Sequence, residues 1–284
     1  MVALSEAKWW NEYDFQVQIR LGLKMRLLHA ETTPYQQLDV YEHDLLGRVL
    51  VLDNIIQTTQ GDEFIYHEML THVPLLGQAF TPKSDVSVLI IGGGDGGILR
   101  EVLRHDWVTR VVMVELDEAV IHIAVKYLGI NGDYDDPRVQ LLIDDGSAYV
   151  RSEGQAQPFD TIIIDGPDPI GPGEALFTRD FFRDVRACLA PSGVMVRQIG
   201  VPIYQQDVFR LGVERVRESF GTVDVYRAAI ATYMGGDMAF VMSSKDGHTC
   251  KQSRLDFSGR YYNHAVHAAA FALPTWWQET IAAA

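Results

Sequence analysis

The hydrophobic pattern of the chain changes character near residue 85. Before that point short β-like segments dominate, at Gln37–Tyr41, Arg48–Leu52 and Asn54–Thr58. Turn signals at His43–Gly47 and Asp53–Asn54 separate them, so they predict a small antiparallel sheet. Asp62 and Glu63 then open a helix that runs through His72, with acids well placed in its first turn. Beyond residue 85 strands and helices alternate. Val86–Ile91 is a continuous apolar run, as a strand buried on both faces requires. Gly97–His105 reads as a helix and Arg110–Val114 as a strand. Asp117–Leu128 places Val120, Ile121, Ala124 and Leu128 at helical spacing. Val139–Ile143, Thr161–Ile164 and Gly193–Gln198 are further strands, with helices at Thr178–Leu189 and Gln205–Phe220. This alternation predicts an α/β fold with a doubly wound parallel sheet, in which ligands sit beyond the carboxyl ends of the strands.

Composition narrows the functions such a fold could carry. The chain has 284 residues, enough for one large domain or for one domain plus a small one. Its 24 basic and 38 acidic residues give a net charge of −14, which disfavours nucleic acid as a partner. The same charge attracts small cations, though it also serves ordinary solubility. Cys188 and Cys250 are the two cysteines and form no C-x-x-C pair, so a reduced, cytoplasmic setting is expected. Met1–Phe15 lacks the apolar core of a signal peptide, and no apolar run approaches the roughly 18 residues of a membrane span. No membrane partner is expected.

The strand ends carry the chemistry. The first is followed by Gly92-Gly93-Gly94-Asp95-Gly96-Gly97, and Glu115 ends the next strand. Glycines here allow close backbone approach to a ligand, and the acid suits ribose hydroxyls; a merely tight turn is the alternative. Asp95 argues against a dinucleotide, because like charges at roughly 4 Å cost about 1–4 kcal/mol. A sulfonium nucleoside such as S-adenosylmethionine, or a relative of it, fits better. Asp144-Asp145-Gly146 follows the third strand and suits either an adenine amino group or a helix N-cap. The fourth strand is followed by Asp165-Gly166-Pro167-Asp168-Pro169-Ile170-Gly171-Pro172-Gly173-Glu174. Two carboxylates three residues apart in a stiffened loop exceed what a cap needs, and the prolines interrupt the donor spacing of a calcium loop. Ammonium groups are their natural partners. His67 and His72, in a run that looks like a zinc-protease helix, are five residues apart, so they fall on different helix faces and no metal is expected. Trp276 and Trp277 read as packing or interface residues.

Several motifs then resemble the spermidine synthase family of aminopropyltransferases. They are Arg48–Asp53, Gln57–Thr59, Asp62–Met69, the Gly92–Gly97 loop with Arg100–Val102, Val114–Asp117, Asp165–Pro172 with Leu176-Phe177, Tyr261–Asn263 and His267–Pro274. The resemblance implies a Rossmann-like methyltransferase-type doubly wound sheet (63–284) preceded by a small antiparallel β domain (1–62), assembled as a homodimer or homotetramer. It implies transfer of an aminopropyl group from decarboxylated S-adenosylmethionine to a diamine, commonly putrescine, with no prosthetic group. Carried over by motif, Asp165 is the proton acceptor, and Tyr66 lines the junction of the two substrates. Asp168 and His67 hold the diamine, with Gln198 and Tyr233 nearby. Asp95 binds the donor's aminopropyl ammonium, Glu115 the ribose, and Asp145 with Gly146 the adenine. Gln36 and Pro172 contact the nucleoside, and Gly92 and Gly94 belong to the donor loop.

The sequence departs from the family where Pro167 replaces a usual serine or threonine, and where Ala231 replaces a usual proline. It departs again at Asp237 and in Arg197–Gly200. These changes read as clustered on the acceptor side, so cadaverine, 1,3-diaminopropane, agmatine and spermidine stay open as acceptors. A small-amine N-methyltransferase and a non-catalytic polyamine-binding protein are the competing readings.

Overall fold

The structure, a computed structural model, describes residues 6–14, 18–77, 85–130, 132–169 and 171–284. Part of the Met1–Phe15 stretch, residue Ile170 of the two-acid loop and the Pro172 side chain lie outside the described residues.

Five antiparallel strands in chain order form the first sheet: β1 (Lys8–Asp14), β2 (Ile19–Thr32), β3 (Gln37–His43), β4 (Gly47–Leu52) and β5 (Ile55–Thr59). The sequence reading anticipated only the last three. β2 nevertheless carries a clear strand signal, because Ile19, Leu21, Leu23, Met25 and Leu27 alternate with Arg20, Gly22, Lys24 and Arg26. Its odd-numbered side chains Leu21, Leu23 and Met25 pack with Val49, Val51 and Ile56. The pairing with β3 then shifts between Leu27 and His29. A bulge of this kind moves later residues to the other face. His29 accordingly sits opposite Val40 and stacks on Tyr127, with ring centroids 5.3 Å apart. That face, built on Leu38, Val40 and Leu50, packs on Val120, Ile123, Ala124 and Leu128 of the second region.

The second sheet has seven strands. In spatial order they are β11 (Asp224–Ala229), β12 (Asp237–Ser244), β10 (Leu189–Gln198), β9 (Phe159–Asp165), β6 (Val86–Gly92), β7 (Val108–Glu115) and β8 (Val139–Ile143). β10, β9, β6, β7 and β8 are parallel, whereas β12 runs antiparallel to both β10 and β11. The sheet is therefore mixed rather than wholly parallel. The departure comes from residues 230–236, where Ile230 N–H donates to Gly236 O at 2.7 Å and Gly236 N–H to Tyr233 O at 2.8 Å. Such a tight connection returns the chain as a hairpin, which a helix crossover cannot do.

The helices are α1 (Glu63–Gly77), α2 (Gly97–Leu103), α3 (Glu118–Ile123), α4 (Gly146–Arg151), α5 (Arg179–Cys188), α6 (Gln206–Phe220), α7 (His264–Ala270) and α8 (Thr275–Ala283). α1 outruns its predicted end, and every residue from Tyr66 to Gly77 is buried. α3 covers only half of the helix expected over Asp117–Leu128, since the chain loosens to a π turn at Ala124–Leu128 and stops at Gly129. Trp277 is buried against Phe209, and Trp276 is partly exposed. Both cysteines are free and buried. Among the described residues no helix is long and apolar enough to cross a membrane.

From β6 the chain winds through β7 to β8, then returns to place β9 on the other side of β6. Neighbouring connections thus diverge between β6 and β9, and the crevice opens there.

Candidate active site

A cleft of about 390 Å³ lies over this switch point and reaches into the first sheet. Its floor is set by one close approach. Gly92 ends β6 with φ +81°, and a Cβ there would lie 2.0 Å from the Asp165 carbonyl oxygen at the end of β9. Only glycine allows the two strand ends to meet so tightly. Gly94 N–H donates to Glu115 Oε2 at 3.0 Å, and Asp117 N–H donates to Glu115 Oε1 at 2.9 Å. Burial pushes the Glu115 carboxyl up to about 7, although these N–H donors oppose the shift. Each oxygen retains acceptor capacity for a ligand hydroxyl.

Asp95 accepts from Gly97 N–H at 2.8 Å and faces His67 Nε2 at 3.1 Å. The other ring nitrogen of His67, Nδ1, meets Glu63, which also pairs with Arg100. Burial alone would favour neutral imidazole. The two carboxylates outweigh it and raise His67 to about 10, so it is an imidazolium at neutral pH. Asp95 is correspondingly held below the usual carboxylate range, the His67 cation overriding its burial. With both nitrogens engaged, His67 braces Asp95 and has no free ring donor to point at a diamine. Gly97 packs directly on it, since a Cβ there would fall 2.1 Å from Nδ1.

Asp165 closes the group. Tyr66 donates its phenol to Asp165 Oδ1 at 2.7 Å. Burial first, and the Asp95 charge second, raise Asp165 to about 6. Donor atoms of His67, Asp95 and Asp165 lie within 4.8 Å of one another, close enough to be considered as metal ligands. A metal would have to displace the protons that tie His67 to its two carboxylates, so the cluster as built is an ion-paired one.

The far end of the cleft is assembled from distant pieces. Tyr233 in the β11–β12 turn donates to the Gln57 carbonyl of β5 at 2.8 Å, and its ring meets Tyr66 edge-on at 5.9 Å. Next to it, buried Asp62 accepts from Thr232 N–H and Thr59 Oγ1, each at 2.8 Å. Asp168 lines the cleft with Gln198 and Gln205. Gln198 donates to Asp168 Oδ1 at 3.4 Å and to the Gly166 carbonyl at 3.1 Å, and Gln205 donates to Asp168 Oδ2 at 2.5 Å.

On the opposite side, Asp145 lines the cleft and also caps α4, accepting from Ser147 N–H at 2.8 Å, as the helix-cap reading of that motif expects. Gly146 packs on Ile91, where a Cβ would lie 2.4 Å from Cγ2. Gln36 lines the cleft too, but its amide donates to Asp117 at 2.9 Å, which joins the first sheet to the start of α3.

The zinc-like run divides as its spacing implies. His72 turns to Glu101 and His105, each at 3.0 Å, and Glu68 accepts the backbone N–H groups of Arg260, Tyr261 and Tyr262 at 2.7–2.8 Å. That nest anchors the Tyr261-Tyr262-Asn263 motif to α1. Of the sequence departures, Pro167 lines the cleft, as do Gln198 and Gly200 of the Arg197–Gly200 segment, whereas Ala231 and Asp237 do not. Asp237 is taken by Arg227 at 2.8 Å, Ala231 is exposed, and Arg197 is buried with its guanidinium 3.5 Å from the Phe177 ring centre. Sequence reasoning missed Gln205, Glu63 and Arg100. Glu63 and Arg100 stand inside quoted motifs, whereas nothing in the local pattern marks Gln205.

Residues 63–254 match the spermine/spermidine synthase domain, and residues 9–60 match the spermidine synthase tetramerisation domain. The chain belongs to the spermine/spermidine synthase family. It is an enzyme of polyamine aminopropyl transfer. Its relatives include polyamine aminopropyltransferases of Serratia proteamaculans (47% identical, covering 87% of this chain and 88% of the relative) and Shigella flexneri (43%, covering 98% and 99%). In structure the enzyme is similar to a spermidine synthase crystallised with the transition state analogue AdoDATO, at TM-score 0.88 and 36% identity, covering 100% of this chain and 98% of that one. The spermidine synthase of Thermotoga maritima superposes at TM-score 0.85 with 34% identity, covering 99% and 96%.

Proposed function

We propose that the enzyme is a spermidine synthase, moving the aminopropyl group of decarboxylated S-adenosylmethionine to putrescine. The observation that carries this reading is the placement of Asp165 between the Tyr66 phenol and Asp95, with its carboxyl raised to about 6. An alkylamine has a pKa of about 10.4 and must lose a proton before it can attack carbon. Asp165 is ionised at neutral pH yet more basic than an ordinary aspartate, which suits it to take that proton. The nitrogen lone pair then forms a bond to the aminopropyl carbon next to sulfur. The carbon–sulfur bond breaks, its electron pair returns to sulfur, and neutral methylthioadenosine leaves. Positive charge moves from sulfur to nitrogen, toward Asp165 and Asp168, so preorganised carboxylates favour the transition state. Holding both cations in one anionic cleft supplies proximity.

On the donor side, Glu115 holds the ribose, Asp145 with Gly146 the adenine, and Asp95 the aminopropyl ammonium. An aspartate in that place disfavours the carboxylate of intact S-adenosylmethionine. His67 acts through Asp95, and Asp168 receives the distal ammonium of the diamine, with Tyr233 and Gln198 beside it. Gln36 borders the nucleoside. In this reading residues 63–284 are the catalytic domain, and residues 1–62 close the acceptor side and carry assembly into a homotetramer. The transfer as written uses no prosthetic group or metal.

The test is release of methylthioadenosine from decarboxylated S-adenosylmethionine with each of several amines, using intact S-adenosylmethionine as control. Release with putrescine is the expected result. Release only with another amine would keep the mechanism and change the acceptor, whereas turnover of the intact donor would replace the reading with a methyltransferase.

A further inference from the structure

Gln205 occupies the N-cap position of α6, where a short side chain normally satisfies the first helical N–H groups. Its side chain makes no cap bond. Instead it spans two other partners. Its Nε2 donates to Asp168 Oδ2 at 2.5 Å, and its Oε1 accepts from Val201 N–H at 2.7 Å. The turn that brings it there is built around it. Gly200 has φ +77°, and a Cβ at that position would lie 2.4 Å from Gln205 Oε1. Gly200 N–H is in turn spent on Gln198 Oε1 at 2.7 Å, so the same turn fixes both amides that reach Asp168. A helix has given up its cap, and a turn has been held to glycine, for the sake of one carboxylate.

Asp168 needs outside support. It stands between Pro167 and Pro169, which have no N–H and whose rings fix the backbone on either side. The remaining freedom at this position is that of the side chain. Both side chains that donate to it, Gln198 and Gln205, are neutral amides, so its orientation is set by hydrogen bonds from groups that carry no charge.

We infer that Gln205 is a positioning residue that fixes the Asp168 carboxylate and thereby sets the length of diamine the enzyme prefers. The inference rests on the aminopropyl-transfer reading, in which Asp165 receives the attacking nitrogen and Asp168 the distal ammonium. With Asp168 fixed, one separation between the two nitrogens fits both acids. With Asp168 free to swing, neighbouring lengths fit nearly as well and each binds less tightly.

Gln205→Met keeps the length of the side chain and removes both hydrogen bonds, and Gln205→Asn keeps the amide but shortens its reach. The wild type and both variants are assayed for methylthioadenosine release with 1,3-diaminopropane, putrescine and cadaverine. Dissociation constants for methylthioadenosine are measured alongside. In the Met variant the KM for the preferred diamine should rise about tenfold, as expected for loss of a hydrogen bond to a charged group. Its kcat should change less than twofold to threefold, and the ratio of kcat/KM between the preferred diamine and its neighbours should fall. Methylthioadenosine should bind as in the wild type, which a general loss of folding would not permit. If the Met variant does not fold, the Asn variant carries the same expectation. An unchanged diamine KM and an unchanged length ratio in a folded variant would overturn the assignment. A wild type that releases no methylthioadenosine with any amine would instead overturn the aminopropyl-transfer reading itself.

Discussion

The two ends of the cleft are built from different kinds of chain. The end proposed for the nucleoside is made by neighbouring strand ends of one sheet, with Gly92 ending β6, Glu115 ending β7 and Asp145 just beyond β8. Its geometry is set by backbone contact, as where Gly92 meets the Asp165 carbonyl. The end proposed for the amine takes Tyr66 from the first turn of α1, Gln57 from the first sheet, Tyr233 from a hairpin turn, and Gln198 and Gln205 from the β10–α6 turn. There the geometry is held by side-chain hydrogen bonds across large sequence separations, such as Thr232 to Asp62. Backbone contact leaves little room for variation, whereas side-chain bonds can be exchanged one at a time. The contrast teaches that donor recognition should be brittle and acceptor recognition tunable.

Four experiments bear on that contrast. The largest effect falls where the ends meet. Asp165→Asn should lower kcat by about 10³-fold, within the range for loss of a general base, while methylthioadenosine binding persists. The same variant should melt at a higher temperature, because it removes a buried charge that Asp95 repels. Near-normal turnover would remove Asp165 as the base. Next, Gly92→Ala should cost about 3 kcal/mol or more in denaturant unfolding, since the new methyl meets backbone that cannot yield and φ is positive. A loss under 1 kcal/mol would show that the nucleoside end is softer than its contacts imply.

The third experiment is a pH profile. Asp165 works in its ionised form, so kcat/KM should fall as pH drops through about 6, which tracks its raised pKa. The stability change runs the other way for this group. Its ionised form is disfavoured in the fold, so its unfavourable contribution shrinks as pH falls through about 6. His67 should add no neutral-pH limb, because its proton is held up to about 10. The smallest effect belongs to the amine end. Thr232→Val keeps the backbone donor to Asp62 and loses the hydroxyl, so stability should fall by about 1 kcal/mol. The amine KM should rise a few-fold with donor affinity unchanged. A larger effect on donor affinity than on amine KM would erase the contrast between the two ends.

The same division governs what the sequence displays. Residues acting through strand position or local motif are readable in one dimension. Val86–Ile91 announces a buried strand, and the glycine loop and the Asp165–Glu174 loop stand immediately after their strands. β2 was legible as well, up to the point where its bulge breaks the alternation at Leu27–His29. The antiparallel placement of β12 was not, since an apolar run reads the same in either direction. Bridges escape such reading for a related reason. His67 looks like a diamine ligand until Glu63 and Asp95 are seen to occupy both its nitrogens, and Gln205 looks like any glutamine ahead of a helix. Asp237, by contrast, looked important through its novelty and proves to be occupied by Arg227.

The bonds from Tyr233 to Gln57 and from Thr232 to Asp62 have a mechanical consequence. They couple the wall of the amine site to the first sheet and the turn that follows it, so load on that sheet is transmitted to the wall. If subunits assemble through the first sheet, the quaternary state becomes an input to catalysis. Dilution that separates the subunits should then weaken the grip on the amine before it touches the nucleoside, and enzyme concentration itself should act as a control on acceptor affinity.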